Sequence, residues 1–116
     1  MVTVDTVHEE LNSLDRNALI DSMVKELPFI SSEMGMTPVG IASRTGIDST
    51  RMKLMVAGKR KMKWSEYMSI LFVLWDDERG RELAESAGLF PNALKNAMSI
   101  NSSQIEEDRG IKGDFF

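Results

Sequence analysis

Residues 36–58, "MTPVGIASRTGIDSTRMKLMVAG", confine the fold more than any other stretch, because helix start and stop signals alternate in them at close spacing. Thr37 is an N-cap residue type, Pro38 suits the first helical position, and Gly46 suits a left-handed turn after about two helical turns. Asp48 then offers a second N-cap for a helix to about Ala57, which Gly58 stops. The pattern predicts helix, short turn, helix over residues 37–57. On the second helix, Ile47, Met52 and Met55 fall close to one side and are expected to point inward. Ser49, Thr50, Lys53, Leu54 and Ala57 follow an i, i+1, i+4, i+5, i+8 stripe and form another face, free to meet a partner.

Helical spacing continues on both sides. Leu11, Leu14, Ala18, Leu19, Met23, Val24 and Leu27 recur at three and four, with Asp15 as a cap. Pro28 either kinks this helix or divides it in two, since "PFISSEM" restarts a helical segment that Gly35 ends. From Trp64 the run "WSEYMSILFVLW" is apolar almost all round its second half. It is expected to be the central core helix, buried on most sides, with Phe72, Leu74 and Trp75 in the core. Asp76 and Asp77 can cap a helix through "ERGRELAESA", Gly88 ends it, and Pro91 opens "PNALKNAMSI". There is no β-alternation. The expectation is an all-α bundle of about five to seven helices, forming one domain over residues 1–100, with "NSSQIEEDRGIKGDFF" (101–116) as a flexible polar tail.

The 116 residues, 42% hydrophobic and 28% charged, suit one small globular domain. The absence of cysteine removes disulfides, zinc–thiolate and iron–sulfur sites and cysteine nucleophiles. "MVTVDTVHEE" carries no basic n-region and no apolar run of signal-peptide length, so the chain reads as soluble and cytoplasmic, with no membrane partner. His8 is the lone histidine, which leaves no metal site to assemble. The nine methionines read as adaptable packing. The acids of "DDE" at 76–78 read as ordinary partners of a helix N-terminus. No acid, base and nucleophile set can be put together, so neither an enzyme nor a cofactor is expected.

Charge is unevenly placed. The chain carries a net −4 with a pI near 5.0, yet Arg44, Arg51, Lys53, Lys59, Arg60, Lys61 and Lys63 face a single acid, Asp48, between residues 44 and 63. A polyanion responds to the local field, because the Debye length is about 10 Å at 0.1 M salt. A basic window of this kind points to phosphates whatever the overall charge.

The segment "MTPVGIASRTGIDSTRMKLMVAGKRKMKWSEYMSIL" resembles the Cro/CI phage-repressor-like (XRE-type) helix-turn-helix regulators over about residues 30–75. Met36 and Thr37 match the family's helix-two opening, Ile41 and Ala42 its inner apolar–Ala pair, and Gly46 and Ile47 its turn. Met52 and Met55 match core positions, and Gly58 with "KRK" the closing basic loop. The resemblance implies a lambda-repressor-like fold and sequence-specific binding of double-stranded DNA by a transcriptional regulator, a repressor by expectation. It places base reading on Ser49, Thr50 and Leu54 with Lys53 beside them, and Arg51 in the same recognition helix (48–57). It places phosphate contacts on Thr37, Lys59, Arg60 and Lys61. Affinity would come from the loop and specificity from the helix.

Three residues depart from the family pattern. Pro38 stands where a polar residue is common, Leu54 where the position is often polar, and Val56 where glutamate is frequent. Leu54 can pack on a thymine methyl. Leu54 and Val56 together can instead form an apolar surface for a protein partner, as in an antitoxin-like or antirepressor protein built on the same scaffold. Reading two half-sites calls for a homodimer, for which the helices in 76–100 are the first choice of surface and the N-terminal helix the second.

Overall fold

The computed structural model describes residues 14–97. Among these, every regular element is a helix: α1 (Arg16–Glu33), α2 (Pro38–Thr45), α3 (Ser49–Val56), α4 (Trp64–Asp76) and α5 (Glu78–Ser86). The chain divides into two units. The first is Asp15–Phe90 and holds all five helices; residues 91–97 belong to the second and are helical from 92 to 97. His8, Leu11, the last part of the 76–100 stretch expected to dimerise and the 101–116 tail lie outside the described residues. The fold is all-α, as the sequence pattern predicts.

Local chemistry sets the helix limits. Asp15 caps α1 by accepting the Ala18 N–H at 3.0 Å. Thr37 caps α2 by accepting from Gly40 at 3.1 Å. Asp48 caps α3 by accepting from Arg51 at 3.1 Å, and Asp77 caps α5 by accepting from Gly80 at 2.8 Å. Each such bond satisfies an N–H that the helix itself leaves unpaired. The α2–α3 turn depends on Gly46, whose φ of 78° lies in the left-handed region that a side chain disfavours. Asp76, the alternative cap for α5, instead closes α4.

Pro28 does not divide the N-terminal segment, and α1 runs through it as one helix of 18 residues. Proline removes one backbone donor there. The buried side chains Met23, Leu27 and Ile30 keep their helical register on both sides of it, and packing outweighs the local penalty. Ser31, also buried, satisfies its hydroxyl by donating to the Pro28 carbonyl at 3.0 Å.

The core of the first unit is drawn from all five helices: Met23, Leu27 and Ile30 of α1, Ile41 of α2, Met52 and Met55 of α3, Tyr67, Ile70 and Leu74 of α4, and Ala84 of α5. Burying a side chain of this size stabilises by about 1.5–3 kcal/mol, so the two short helices are held by their apolar sides rather than by their own turns. Met62, in the loop before α4, is buried with them. Ile47, expected on the inner side with Met52 and Met55, is only half-buried. It precedes the helix, and its side chain sits at the edge of the turn.

Helix α4 is less enclosed than its composition suggests. Tyr67, Ile70, Leu71 and Leu74 are buried, but Phe72 is 67% exposed, and Val73 and Trp75 are half-buried. Neighbouring helices cover one side of α4 and leave Phe72 outside the core. Trp75 is shielded by the Phe90 ring, at 4.4 Å between centroids, and by the Arg81 guanidinium, 4.6 Å from its ring. The short, polar α5 is fixed by a salt bridge from Arg79 to Glu33 at 3.0 Å and by close approach of Gly80 to α4.

Candidate nucleic-acid interface

Helix α3 presents two distinct sides. Met52 and Met55 are fully buried, while Ser49, Thr50, Lys53 and Ala57 are exposed and Leu54 is half-buried. The i, i+1, i+4, i+5 stripe is therefore accessible, with hydroxyls at its N-terminal end and a cation one turn later. Val56 is half-buried as well, so Leu54 and Val56 do not form a freely exposed apolar pair. Among the described residues the large apolar side chains that do stand exposed are Phe29 and Phe72.

The basic loop follows α3 directly and is tied to it through the backbone. Gly58 adopts a φ of 75°, which turns the chain back so that the Leu54 carbonyl accepts both the Lys59 N–H at 2.9 Å and the Arg60 N–H at 3.3 Å. Lys59 and Arg60 are exposed and make no side-chain ion pair or hydrogen bond with other described residues. Lys61 is also exposed but donates from Nζ to the Asn17 Oδ1 at 2.7 Å, which leans its ammonium toward the start of α1. The loop and α1 bound a cleft of about 360 Å³ lined by Lys59, Arg60 and Lys61 together with Ile20 and Val24.

Thr37 is exposed at the start of α2. Its oxygen accepts from Gly40, which leaves the hydroxyl proton available to an anion. Pro38, at N1, contributes no N–H there.

Arg51 differs from the other expected contact residues. Its guanidinium is engaged with the Glu66 carboxylate of α4, Nε to Oε2 at 2.6 Å and Nη2 to Oε1 at 2.7 Å, and Nη2 also reaches the Lys61 carbonyl at 3.3 Å. Glu66 accepts the Lys63 N–H as well, at 2.8 Å. The Arg51 hydrogen bond is the chief cause that holds the Glu66 carboxyl below its ordinary range. Arg51, expected as a DNA contact of the recognition helix, is thus already engaged within the protein, its guanidinium directed to α4 and the loop, and its side chain is 31% exposed.

Glu66 and Asn17 are the two site residues that sequence reasoning passed over. Glu66 stands three residues after the α4 N-cap, Lys63, where an acid reaching back to the cap N–H is a known signal. A lysine at the cap position obscured it. Asn17 lies 44 residues from Lys61, and no local pattern marks it.

A second concave surface lies away from the loop. Arg44, Thr45, Met68, Ser69, Phe72 and Val73 line an open groove of about 420 Å³ between α2 and α4. Among the described residues no group of three His, Cys, Asp or Glu side chains is placed to hold a metal ion, and no helix is long and apolar enough to cross a membrane. Compared with protein-family models, with curated proteins and with solved structures, the chain gives no match.

Proposed function

We propose that this chain is a cytoplasmic, sequence-specific DNA-binding regulator of transcription, acting as a homodimeric repressor on a two-fold-related operator and not as an enzyme. Residues 48–57 enter the major groove and Lys59, Arg60 and Lys61 hold phosphates. One observation carries the reading: the exposed Ser49, Thr50 and Lys53, with the half-buried Leu54 beside them, lead without interruption into a loop of exposed cations whose backbone is bonded to the same helix. A reading surface beside a phosphate clamp is what groove recognition needs. The resemblance of residues 30–75 to the Cro/CI-type regulators points the same way, and Thr37 adds a neutral donor at the start of α2.

The test is duplex DNA binding across a salt series for the wild type and for Lys59→Ala combined with Arg60→Ala. Each phosphate neutralised contributes about 0.9 to the slope of log K against log salt, so loss of two contacts makes the slope shallower by roughly 1.8. Absence of binding by the wild type at low salt would sink the proposal.

A protein-interaction module, antitoxin-like or antirepressor in kind, is the second reading. Leu54 and Val56, both half-buried, give it less support than the 67% exposure of Phe72 beside the Arg44 groove. A stoichiometric protein partner lost on Phe72→Ser and indifferent to DNA would favour this reading over the first.

A further inference from the structure

The Glu66 carboxylate of α4 touches both the recognition helix and the end of the basic loop. Its two oxygens accept three N–H bonds, two from Arg51 of α3 and one from the Lys63 backbone. Arg51 extends the link by donating to the Lys61 carbonyl. The side chain of Glu66 is only 13% exposed and that of Arg51 31%, and a two-point guanidinium–carboxylate pair fixes orientation as well as distance. The Leu54 carbonyl anchors the near half of the loop. In the far half, Lys61 to Lys63, Met62 is buried in the core, and the polar tie to α3 runs through Arg51 and Glu66.

We infer that Glu66 is a positioning residue of the DNA-reading surface, holding the phosphate-contacting loop in fixed register with α3 and keeping Arg51 away from the phosphates. The inference rests on the DNA-binding reading above. A loop held in register lets base contacts and phosphate contacts form together only on the right sequence, whereas a loop that drifts satisfies phosphates on any sequence. Arg51 matters for the same reason. It stands one and two residues from Thr50 and Ser49, and a guanidinium released there adds a phosphate contact that carries no sequence information.

The experiment compares wild type, Glu66→Gln and Arg51→Gln, each confirmed folded by its thermal transition. Two duplexes are used: one selected by the wild type from a random pool, and a shuffled duplex of the same composition. For Glu66→Gln the expected result is a salt slope steeper by about 0.9, from the released Arg51, and discrimination between the duplexes lowered by about tenfold, the scale of one lost specific contact. For Arg51→Gln the slope stays at the wild-type value while discrimination falls. A slope shallower by about 0.9 in Arg51→Gln would make Arg51 a phosphate contact and overturn the inference, and so would unchanged discrimination in Glu66→Gln. Amide hydrogen exchange of the free proteins, with Glu66→Ala added because glutamine can still accept the cap N–H, separates this from failure of the DNA reading: the Lys63 amide exchanges faster in Glu66→Ala and Arg51→Gln if the anchor exists. Unchanged exchange overturns the anchor whether or not DNA binds, while faster exchange in a protein that binds no duplex keeps the anchor and removes the DNA reading.

Discussion

The hydroxyl of Tyr67, on α4, donates a hydrogen bond to the backbone carbonyl of Leu89, and both residues are fully buried. Burial raises the Tyr67 hydroxyl above its ordinary range, so it stays protonated and remains a donor at any working pH. The ring is stacked on Trp64, 4.8 Å between centroids and 9° between planes. Arg16 lies 5.0 Å over the other ring of the stack. One side chain therefore ties the chain leaving α5 to the middle of the core. Tyr67→Phe keeps the stack but orphans the Leu89 carbonyl, and is expected to destabilise by about 1–3 kcal/mol in urea unfolding. DNA binding by the remaining folded protein should be unchanged, since the Tyr67 hydroxyl meets none of the loop contacts.

Gly80 has the least room of the described glycines. A Cβ built on it would stand 2.8 Å from the Leu74 carbonyl oxygen and 2.8 Å from the Met34 Sδ. The methionine can swing away, but the carbonyl belongs to α4 and cannot move without the helix. Gly80→Ala should therefore cost about 1–3 kcal/mol as overpacking, against the small gain in helix propensity that alanine brings elsewhere. A thermal transition at or above that of the wild type would show that α5 is free to shift.

The two short helices and their turn were legible because their signals are local: Thr37, Asp48 and Gly46 act on N–H groups or dihedrals within three residues of themselves. The caps at Asp15 and Asp77 were readable for the same reason. Phe72 was not, because apolar content all round a helix says that many faces can be buried and nothing about how many neighbours arrive to cover them. The pairing of Arg51 was not legible for a related cause. Its position in α3 is local information, but its partner Glu66 is 15 residues away, and only the packing of α4 against α3 decides which way the guanidinium turns. Pro28 left two outcomes open in sequence, and buried contacts on both sides of it selected the single helix.

Acid should weaken the first unit through Glu66. In the unfolded chain this carboxyl titrates near the ordinary glutamate value of about 4.3, whereas in the fold Arg51 lowers it. A depressed folded pKa gives stability that is fully present above the unfolded value and is lost as pH falls through the folded one. Arg51 itself is raised, far above this window, and stays charged throughout. The wild type is expected to lose stability below about pH 4.3 more steeply than Glu66→Gln, measured as urea midpoints across pH 3 to 7. Parallel curves for the two proteins would show that the pair contributes no pH dependence.

Asp48 offers a test of the interface in the direction of gain. It is the one acid among the cations of residues 44–63, and it is there because its side chain caps α3 through the Arg51 N–H. Asparagine caps a helix about as well as aspartate, so Asp48→Asn should leave stability within about 0.5 kcal/mol. The negative charge, however, stands at the end of the helix expected to face phosphates, where it repels them. Removing it should tighten duplex binding several-fold at low salt, on the scale of about 1 kcal/mol for a charge in a high-dielectric setting, and the gain should shrink as salt rises. Titration of labelled duplex at two salt concentrations reads both effects. Equal affinities for Asp48→Asn and wild type at low salt would place the N-terminus of α3 away from the DNA.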